Sequence, residues 1–449
     1  MTTQSTIKDD IHGPATVDLQ IIGGGLAGLV AANLAIDAGL SVRLIESQRS
    51  LGGRAGSTEY QRFVLNQGPH ALYVDGALNK TLRSLGIKPR GSAPVIKGAT
   101  GSIGSVTGLL PGGPASLLRT NLLPARGKWQ LAKLMAGLQR IDPQPLGSTS
   151  VEQWIDSITD VPELKAMLTG LVSLSTYSFT PVIASADTAV EQLQMALGNG
   201  VLYLDGGWVD IVSELENRAE RLGSFERVTA KVLEVTAGHD GGHSCRTADT
   251  NYSAANVLLA AGSPALVDRL LGDSSASEMA GPPVQAAVLD LGLKTEPPVG
   301  IHLGLDVGLY LSKHSSATSL TPAGHSLVSV ARYLRPDDKL GPDETKSLLL
   351  AHARAAGINP ADIVMDRYLH RLTVAFGRPL AKNGGLAGRP PVTVAGRPGI
   401  YVAGDWVGGT GLLADASAAS AAEAVTAIVA TAPKANTRLV PAAIHGAQR

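Results

Sequence analysis

The stretch that decides the fold is residues 17–54, VDLQIIGGGLAGLVAANLAIDAGLSVRLIESQRSLGGR. A short apolar strand over residues 17–22 runs directly into a G-x-G-x-x-G turn, and an alanine-rich helix follows to about Ala38. A second strand over residues 41–45 ends on Glu46, an acid placed about 20 residues after the turn, where it suits the hydroxyls of a ribose. This order of elements predicts a strand–helix–strand unit that binds a dinucleotide.

Each glycine of the turn has its own predicted role. Gly23 permits the tight turn, Gly25 lets the backbone approach a pyrophosphate, and Gly28 allows the helix to pack closely on the strand. The helix begins near Leu26 and Ala27, where free N–H groups and the positive end of the helix dipole face the phosphates. The alternative is a glycine-rich turn that opens an ordinary helix.

The residues that follow Glu46 narrow the choice of dinucleotide. G-G-G-x-A-G-L, the acid, and then L-G-G-R at residues 51–54 together resemble the N-terminal signature of the FAD-dependent amine oxidase and phytoene desaturase superfamily. The resemblance implies FAD, held non-covalently, with Gly53 and Arg54 continuing around its pyrophosphate. Arg54 suits this position because a guanidinium presents a planar fork of donors to phosphate oxygens.

Further segments resemble the same superfamily and extend the predicted cofactor site. Gly68 and His70 match a G-x-H-type segment that faces the flavin, and Val232 lies where the family has a valine whose backbone meets the adenine. The resemblance is closest to bacterial phytoene-dehydrogenase-like flavoproteins. It is strong over residues 17–75 and 384–431, and weak over residues 76–195.

The C-terminal part of the chain resembles the superfamily's final flavin motif. A strand ends on Gly404 and Asp405, and a glycine-rich turn then leads into a long alanine-rich helix. The resemblance implies that Asp405 accepts hydrogen bonds from the ribityl chain or from a pyrophosphate-bound water. Leu412 and Leu413 lie at the start of the helix, where backbone N–H groups stabilise negative charge on a reduced flavin.

The predicted fold is α/β, with a Rossmann-type, three-layer FAD-binding domain on a parallel sheet, interleaved with an α+β substrate domain on an antiparallel sheet. A helix is also predicted from Leu117 to Leu138, with Trp129, Leu131, Leu134 and Leu138 on one side. The predicted divisions are a disordered lead-in over 1–15, the FAD-binding domain over 16–75, 196–270 and 384–432, the substrate domain over 76–195 and 271–383, and a tail over 433–449.

Composition limits the classes of function. Lys plus Arg and Asp plus Glu are 38 each, so nothing favours nucleic acid as a partner. The single cysteine, Cys245, excludes an intrachain disulfide framework and a paired-cysteine redox site, and fits a cytoplasmic protein. The first 16 residues do not resemble a signal peptide, and no membrane-spanning helix is expected. The stretch from Leu109 to Leu123, with Arg119 and Arg126, is a weaker candidate for peripheral membrane contact.

The chemistry expected of such a site is hydride transfer from a substrate C–H bond to flavin N5, with oxygen or a quinone as the electron acceptor. His70 and His314 are the candidate bases, because imidazole titrates near neutral pH. The residues expected to line the substrate cavity are Tyr310, Arg332, Tyr333 and Phe376.

Three activities fit the sequence. The first is a dehydrogenase or desaturase of an apolar or isoprenoid-like small molecule. The second is a flavin amine oxidase that releases peroxide, which is disfavoured because aromatic residues are few and none lies between Phe376 and Pro398. The third is a flavin-dependent isomerase without net oxidation. A pyridine-nucleotide-linked disulfide reductase is disfavoured, because the chain has no second G-x-G-x-x-G and no cysteine pair.

Overall fold

The structure, a computed structural model, describes residues 16–238, 242–314 and 320–431. The predicted lead-in over 1–15 and the predicted tail over 433–449 lie outside the described residues.

The strands of the described chain form two large sheets and two small ones. In chain order they are β1 (Val17–Ile22), β2 (Val42–Glu46), β3 (Ser57–Tyr60), β4 (Phe63–Asn66), β5 (Leu72–Tyr73), β6 (Gly91–Ser92), β7 (Thr100–Ile103), β8 (Val106–Leu109), β9 (Val201–Leu204), β10 (Phe225–Thr229), β11 (Glu234–Ala237), β12 (His243–Arg246), β13 (Asn251–Leu259), β14 (Val284–Leu293), β15 (Ile301–Gly304), β16 (Leu309–Lys313), β17 (Ser326–Leu334), β18 (Ile363–Ala375) and β19 (Ile400–Val402).

The α-helices cover the faces of the two large sheets. They are α1 (Leu26–Asp37), α2 (Ala77–Ser84), α3 (Pro114–Arg119), α4 (Ala125–Gly137), α5 (Val151–Ile158), α6 (Pro162–Thr176), α7 (Ala186–Leu197), α8 (Val209–Leu222), α9 (Pro264–Leu271), α10 (Ser275–Ala280), α11 (Pro342–Ala355) and α12 (Leu413–Thr431).

The first large sheet is the predicted parallel sheet. Its strands run in the order β10-β2-β1-β13-β12-β11, and β19 pairs with the second half of β13. β10, β2, β1, β13 and β19 are parallel, whereas β12 and β11 form an antiparallel edge. β1 and β2 are apolar and almost completely buried because helices cover both faces of the sheet.

The helix after β1 packs between α8 and α12 against this sheet. α1 has buried residues around most of its circumference, and small alanines allow the close approach of its neighbours. α12 has the length and the mean hydropathy, 1.3, of a helix that crosses a bilayer, but half of that apolar window is buried within this fold. It therefore forms part of the core layer here.

The second large sheet is mostly antiparallel and has the order β18-β14-β17-β16-β15-β7-β8. Only the β15–β7 pair is parallel. One face packs against α4, α5, α6 and α7, and the other face packs against α11. Along β17, Ala331 and Tyr333 lie on the first face and Val330 lies on the second, as strand alternation requires. The predicted fold class is confirmed.

The helix predicted from Leu117 to Leu138 is two helices, α3 and α4, separated by residues 120–124. Leu131, Leu134 and Leu138 are buried, as predicted, but Trp129 is 66% exposed. The prediction for Trp129 was wrong because Trp129 lies two residues before Leu131, which is about 200° around a helix and therefore on the opposite side.

Candidate functional site

The turn after β1 has no room for side chains at two of its glycines. Gly23 has φ +110°, and a Cβ on it would lie 2.4 Å from the carbonyl oxygen of Ala260. A Cβ on Gly28 would lie 2.0 Å from the Gly23 carbonyl oxygen. A Cβ on Gly25 would meet no protein atom within 4 Å. Gly23 and Gly28 are therefore required by the fold, whereas Gly25 is open toward a cavity.

Glu46 at the end of β2 supports this turn directly. One carboxylate oxygen accepts a 2.8 Å hydrogen bond from the Gly24 N–H, and the other accepts one of 2.8 Å from the Gln48 N–H. The Gly52 N–H donates to the Gly24 carbonyl at 2.7 Å, which ties the L-G-G-R segment to the same turn. The predicted acid and the predicted extension therefore lie beside each other.

Arg54 and Asp405, which are distant in sequence, form an ion pair in the site. The Arg54 guanidinium lies 2.6 Å from the Asp405 carboxylate and donates to the Val374 carbonyl at 2.8 Å. It also lies 4.8 Å from the centre of the Phe376 ring, a cation–π contact. The paired oxygen of Asp405 accepts a further hydrogen bond from the Phe376 N–H at 3.0 Å. This pair joins the N-terminal and C-terminal parts of the site.

A cavity of about 310 Å³ lies between these segments. A volume of this size is typical of a cofactor or ligand site. Thirteen of the residues predicted to bind cofactor or substrate line it: Gly23, Gly25, Leu26, Ala27, Glu46, Gly53, Arg54, His70, Phe376, Gly404, Asp405, Leu412 and Leu413.

The N-terminus of α12 points into this cavity. Its first N–H groups have no partner within the helix, as at every helix start. Leu413 has φ +54°, a left-handed conformation that costs a leucine about 1–3 kcal/mol. Asp415 also lines the cavity and accepts a 2.8 Å hydrogen bond from the Leu78 N–H. Burial raises the pKa of Asp415 to about 6, although the Leu78 N–H opposes the shift.

His70 lines the cavity and is held by the backbone. Its Nδ1 lies 2.8 Å from the Gly68 carbonyl oxygen, and its ring lies 5.1 Å from the Trp208 ring. A carbonyl can only accept, so the neutral ring carries its proton on Nδ1. Burial lowers the pKa of His70; the Gly68 carbonyl opposes the shift, and the Arg54 cation adds to it. His70 is therefore neutral near pH 7.

A second, smaller cavity of about 30 Å³ adjoins the first. The two cavities share Arg54, Pro69, His70, Tyr177 and Val374. The other lining residues of the small cavity are Gln67, Ala286, Val288, Ala331, Tyr333, Leu372 and Thr373. The antiparallel sheet thus forms one wall beside the larger cavity.

Two tyrosines that contact each other line this small cavity. The rings of Tyr177 and Tyr333 are 6.1 Å apart and almost perpendicular, at 78°. Tyr177 has φ +55°, which is unusual for a residue with a side chain. The Tyr333 hydroxyl is buried and has no hydrogen-bond partner among the described residues. Both rings therefore help to shape the space beside His70.

His314 and Tyr310 form a buried polar cluster outside both cavities. The His314 ring stacks on Tyr203 at 4.1 Å, and its Nε2 lies 3.3 Å from the Tyr310 hydroxyl. The Tyr203 hydroxyl is 2.8 Å from the Ser312 hydroxyl. Burial lowers the pKa of His314 to about 3. Neither His314 nor Tyr310 lines either of these two cavities among the described residues, so the site geometry leaves His70 as the candidate base.

Arg332 does not line the substrate cavity, contrary to the prediction. It lies 2.6 Å from Asp338, on the face of β17 opposite Tyr333. Three predicted cofactor residues also lie just outside the larger cavity. Gly28 packs under the turn, Gly68 supplies the carbonyl that holds His70, and Val232 is buried in the core beside the parallel sheet.

Several lining residues were not predicted as site residues, and three of them have side chains of chemical interest. Tyr177 ends α6, Trp208 precedes α8, and Asp415 lies in the first turn of α12. Tyr177 lies in the segment where the sequence resembles nothing specific. Asp415 had a usable signal, since it is an acid at the start of an otherwise apolar, alanine-rich helix.

The residues of the larger cavity fit FAD. Asp405 Oδ1 and Trp208 Nε1 are buried and have no hydrogen-bond partner among the described residues, although both side chains line the cavity. Gly25 leaves a cradle that a side chain would fill. An acceptor, a donor and an open helix N-terminus suit the ribityl hydroxyls and the pyrophosphate of a flavin dinucleotide.

Known structures share this fold. An oxidoreductase from Methanosarcina mazei is 19% identical, with a TM-score of 0.69 over 92% of this chain and 100% of that one. The cyclohexylamine oxidase from Brevibacterium oxydans is 17% identical, with a TM-score of 0.69 over 93% of this chain and 99% of that one.

Sequence comparison adds the family. The carotenoid 3,4-desaturase of Haloarcula japonica is 36% identical over 73 residues, which are 16% of this chain and 15% of that protein. The match to this curated relative thus spans less than a fifth of its length. The family model for flavin containing amine oxidoreductases matches residues 26–429. The chain therefore belongs to the flavin containing amine oxidoreductase family and is an FAD-dependent oxidoreductase.

Proposed function

We propose that this enzyme is a dehydrogenase or desaturase of an apolar, isoprenoid-like small molecule. FAD, when bound, supplies the chemistry by accepting a hydride from a substrate C–H bond at its N5 atom. The chain's own residues hold the cofactor, position the substrate and exclude water.

The observation that carries this proposal is the lining of the small cavity. Ala286, Val288, Ala331, Leu372 and Val374 supply apolar walls, and Gln67 and Thr373 add uncharged polar groups. No Asp or Glu occurs among the described residues that line this cavity, and its one cation is Arg54. A protonated amine would lose its hydration there without gaining a carboxylate, which is unfavourable. A hydrocarbon loses nothing comparable and gains from leaving water.

Arg54 and His70 have separate tasks in the proposed reaction. Arg54 is anchored by Asp405 and the Val374 carbonyl, so its charge stays at the junction of the two cavities. His70 faces both cavities and is neutral near pH 7, because burial lowers its pKa. It is therefore placed to accept the proton that must leave the neighbouring carbon when a C=C bond forms.

The likeness to the Haloarcula japonica protein supports this choice. That protein is a carotenoid 3,4-desaturase, and desaturation removes hydrogen from a carbon chain. The apolar cavity walls support the same class of substrate independently of that likeness.

Amine oxidation is the second candidate, and one observation favours it. Tyr177 and Tyr333 present two rings at 78° beside the cofactor cavity. An aromatic ring face attracts an ammonium group, and the Brevibacterium oxydans structure with the same fold is a cyclohexylamine oxidase.

Product analysis separates the two candidates. The FAD-loaded enzyme is incubated in air with a panel of isoprenoid polyenes and, separately, with a panel of primary amines. Desaturation gives a polyene product that has lost two hydrogen atoms, which mass spectrometry detects. Release of peroxide with a carbonyl product from the amines, and unchanged polyenes, would refute the proposal.

A further inference from the structure

One part of the chain has a charge imbalance that the balanced total conceals. Residues 76–141 contain no Asp or Glu. The same segment contains ten basic residues, Lys80, Arg83, Lys88, Arg90, Lys97, Arg119, Arg126, Lys128, Lys133 and Arg140. The whole chain has equal numbers of acidic and basic residues, 38 of each, so this segment is strongly basic against a neutral background.

The same segment also exposes its largest apolar side chains to solvent. Leu118 is 77% exposed and Trp129 is 66% exposed, the two highest values among the large apolar residues of the described chain. Leu109 and Ile96 are also exposed, at 39% and 62%. α3, which carries Leu118, has no buried residue at all. Burial within the described part of the chain therefore does not account for these side chains.

Hydrogen bonds place the exposed apolar and basic residues beside one another. The Lys128 ammonium donates to the Leu118 carbonyl at 2.9 Å, and Lys133 lies 5.7 Å from the Trp129 ring. The Thr120 hydroxyl donates to the Leu109 carbonyl at 2.6 Å, which joins α3 to β8. We call the surface formed by Leu109, Leu118, Arg119, Lys128, Trp129 and Lys133 the basic apolar patch.

The charges of the patch are not cancelled by its surroundings. Arg126, on the same helix, is paired with Asp160 at 2.8 Å and is therefore left out of the patch. No ion pair joins Arg119, Lys128 or Lys133 to an acid among the described residues.

The patch lies on the outside of a helix that covers the substrate side of the fold. Leu131 and Leu134, on the inner side of α4, belong to the same core as Ala331 and Tyr333 of the small cavity. A partner that binds the patch would therefore bind the substrate half of the molecule.

We propose that the basic apolar patch docks on the surface of an anionic phospholipid membrane. Trp129 and Leu118 enter the headgroup region, where tryptophan is favoured and leucine loses contact with water. Arg119, Lys128 and Lys133 face the lipid phosphates, and each basic residue near such a surface strengthens binding about fivefold. A membrane is also where an apolar substrate would dissolve, but the docking itself does not depend on the identity of the substrate.

The tryptophans make this proposal directly measurable. Trp154, Trp208 and Trp406 are buried, with exposed fractions of 5%, 3% and 1%, so Trp129 alone reports on the surface. The FAD-loaded full chain is mixed with vesicles of phosphatidylcholine alone or with phosphatidylglycerol added. We expect a blue shift of Trp129 emission and quenching by brominated lipid with the anionic vesicles, both weakened by salt. Vesicle flotation measures the bound fraction.

Matched variants separate docking from folding. Leu118→Ser should weaken binding to anionic vesicles about tenfold or more, because serine lacks the apolar side chain that leaves water on binding. Lys133→Gln should weaken it about fivefold. Leu222→Ser and Lys231→Gln are the controls, since both positions are exposed but lie outside the patch. Flavin content should be unchanged in all four variants.

Three results would overturn the proposal. The wild-type chain could fail to bind anionic vesicles, or the Leu118 and Lys133 variants could bind as well as the two controls. Alternatively, the wild-type chain could form a dimer that Leu118→Ser dissociates, with no vesicle binding, and the patch would then be an interface between copies of this chain.

Discussion

Substituting alanine at Gly25 should weaken FAD binding with little effect on stability, whereas the same substitution at Gly28 should destabilise the fold. Gly25 has φ −76° and ψ −175°, which alanine adopts without strain. Its Cβ would meet no protein atom within 4 Å. The Gly28 Cβ would lie 2.0 Å from a backbone carbonyl oxygen, which cannot move aside like a flexible side chain.

The expected magnitudes follow from this geometry. Gly25→Ala should change the unfolding free energy of the apoprotein by less than about 1 kcal/mol, because the unfolded chain loses freedom whereas alanine is a poorer N-cap of α1 than glycine. The new methyl group keeps phosphate away from the N–H groups of the turn. Each charge-assisted hydrogen bond lost is worth about 1.5–3 kcal/mol, so FAD affinity should fall at least about tenfold. Gly28→Ala should cost about 3 kcal/mol of stability.

Two assays test the pair of variants. Urea unfolding of each apoprotein measures stability, and titration of the apoprotein with FAD, followed by the visible flavin absorbance, measures affinity. The reasoning is refuted if Gly25→Ala binds FAD as tightly as the wild type, or if Gly25→Ala lowers the unfolding free energy as much as Gly28→Ala does.

Three further predictions concern charged and titratable groups. Asp405→Asn should lower the unfolding free energy, measured by urea unfolding, by about 3 kcal/mol, because it leaves the Arg54 guanidinium without its buried partner. The control Glu234→Gln, in an exposed ion pair, should lower it by under about 1 kcal/mol. His70→Ala should reduce turnover far more than flavin content, and a variant as active as the wild type would make His70 structural. Wild-type turnover should fall only at a pH below 6.5, the ordinary histidine pKa, because burial lowers the pKa of His70. In the unfolded chain His314 takes up a proton below pH 6.5, but in the folded protein it does so only near pH 3. The unfolding free energy of the wild type should therefore fall by about 2 kcal/mol between pH 7 and pH 5 because of His314. His314→Asn should remove that loss, and an unchanged pH dependence of unfolding would contradict the assignment.

Much of the cofactor site could be predicted because its residues are constrained locally. The turn between β1 and α1 needs glycines at fixed spacing, and Glu46 needs only the end of the next strand, so one short stretch contains both signals. Asp405 and Leu412 could be predicted from a strand that ends in a glycine-rich turn before an apolar helix. The sequence thus predicts the cavity, since both ends of the chain carry their own local pattern.

The substrate side could not be predicted to the same extent, because its residues meet only through tertiary packing. Tyr177 ends a helix, Tyr333 lies in a strand, and no spacing connects them. Strand alternation could have excluded Arg332, because Arg332 and Tyr333 are neighbours and cannot face the same cavity. Likewise, the exposure of Trp129 could have been predicted from its angle around the helix relative to Leu131, rather than from a count of apolar residues.

The basic apolar patch could not be predicted from the composition of the whole chain. Equal totals of acidic and basic residues give no indication of an anionic partner, yet residues 76–141 carry no acid at all. A partner interacts with the charges on one surface rather than with the net charge of the whole chain, because screening by salt limits the range of charge interactions to about 10 Å. The local distribution of charge is therefore the quantity that bears on partners.

Anaerobic reduction of the bound flavin tests the central claim most directly. The FAD-loaded enzyme is mixed without oxygen with a dispersed isoprenoid polyene or with a primary amine, and the visible flavin absorbance is followed, with chemical reduction as the common end point. Our account predicts that the polyene bleaches the flavin and that the amine leaves it oxidised. Bleaching by the amine, and none by the polyene, would contradict it.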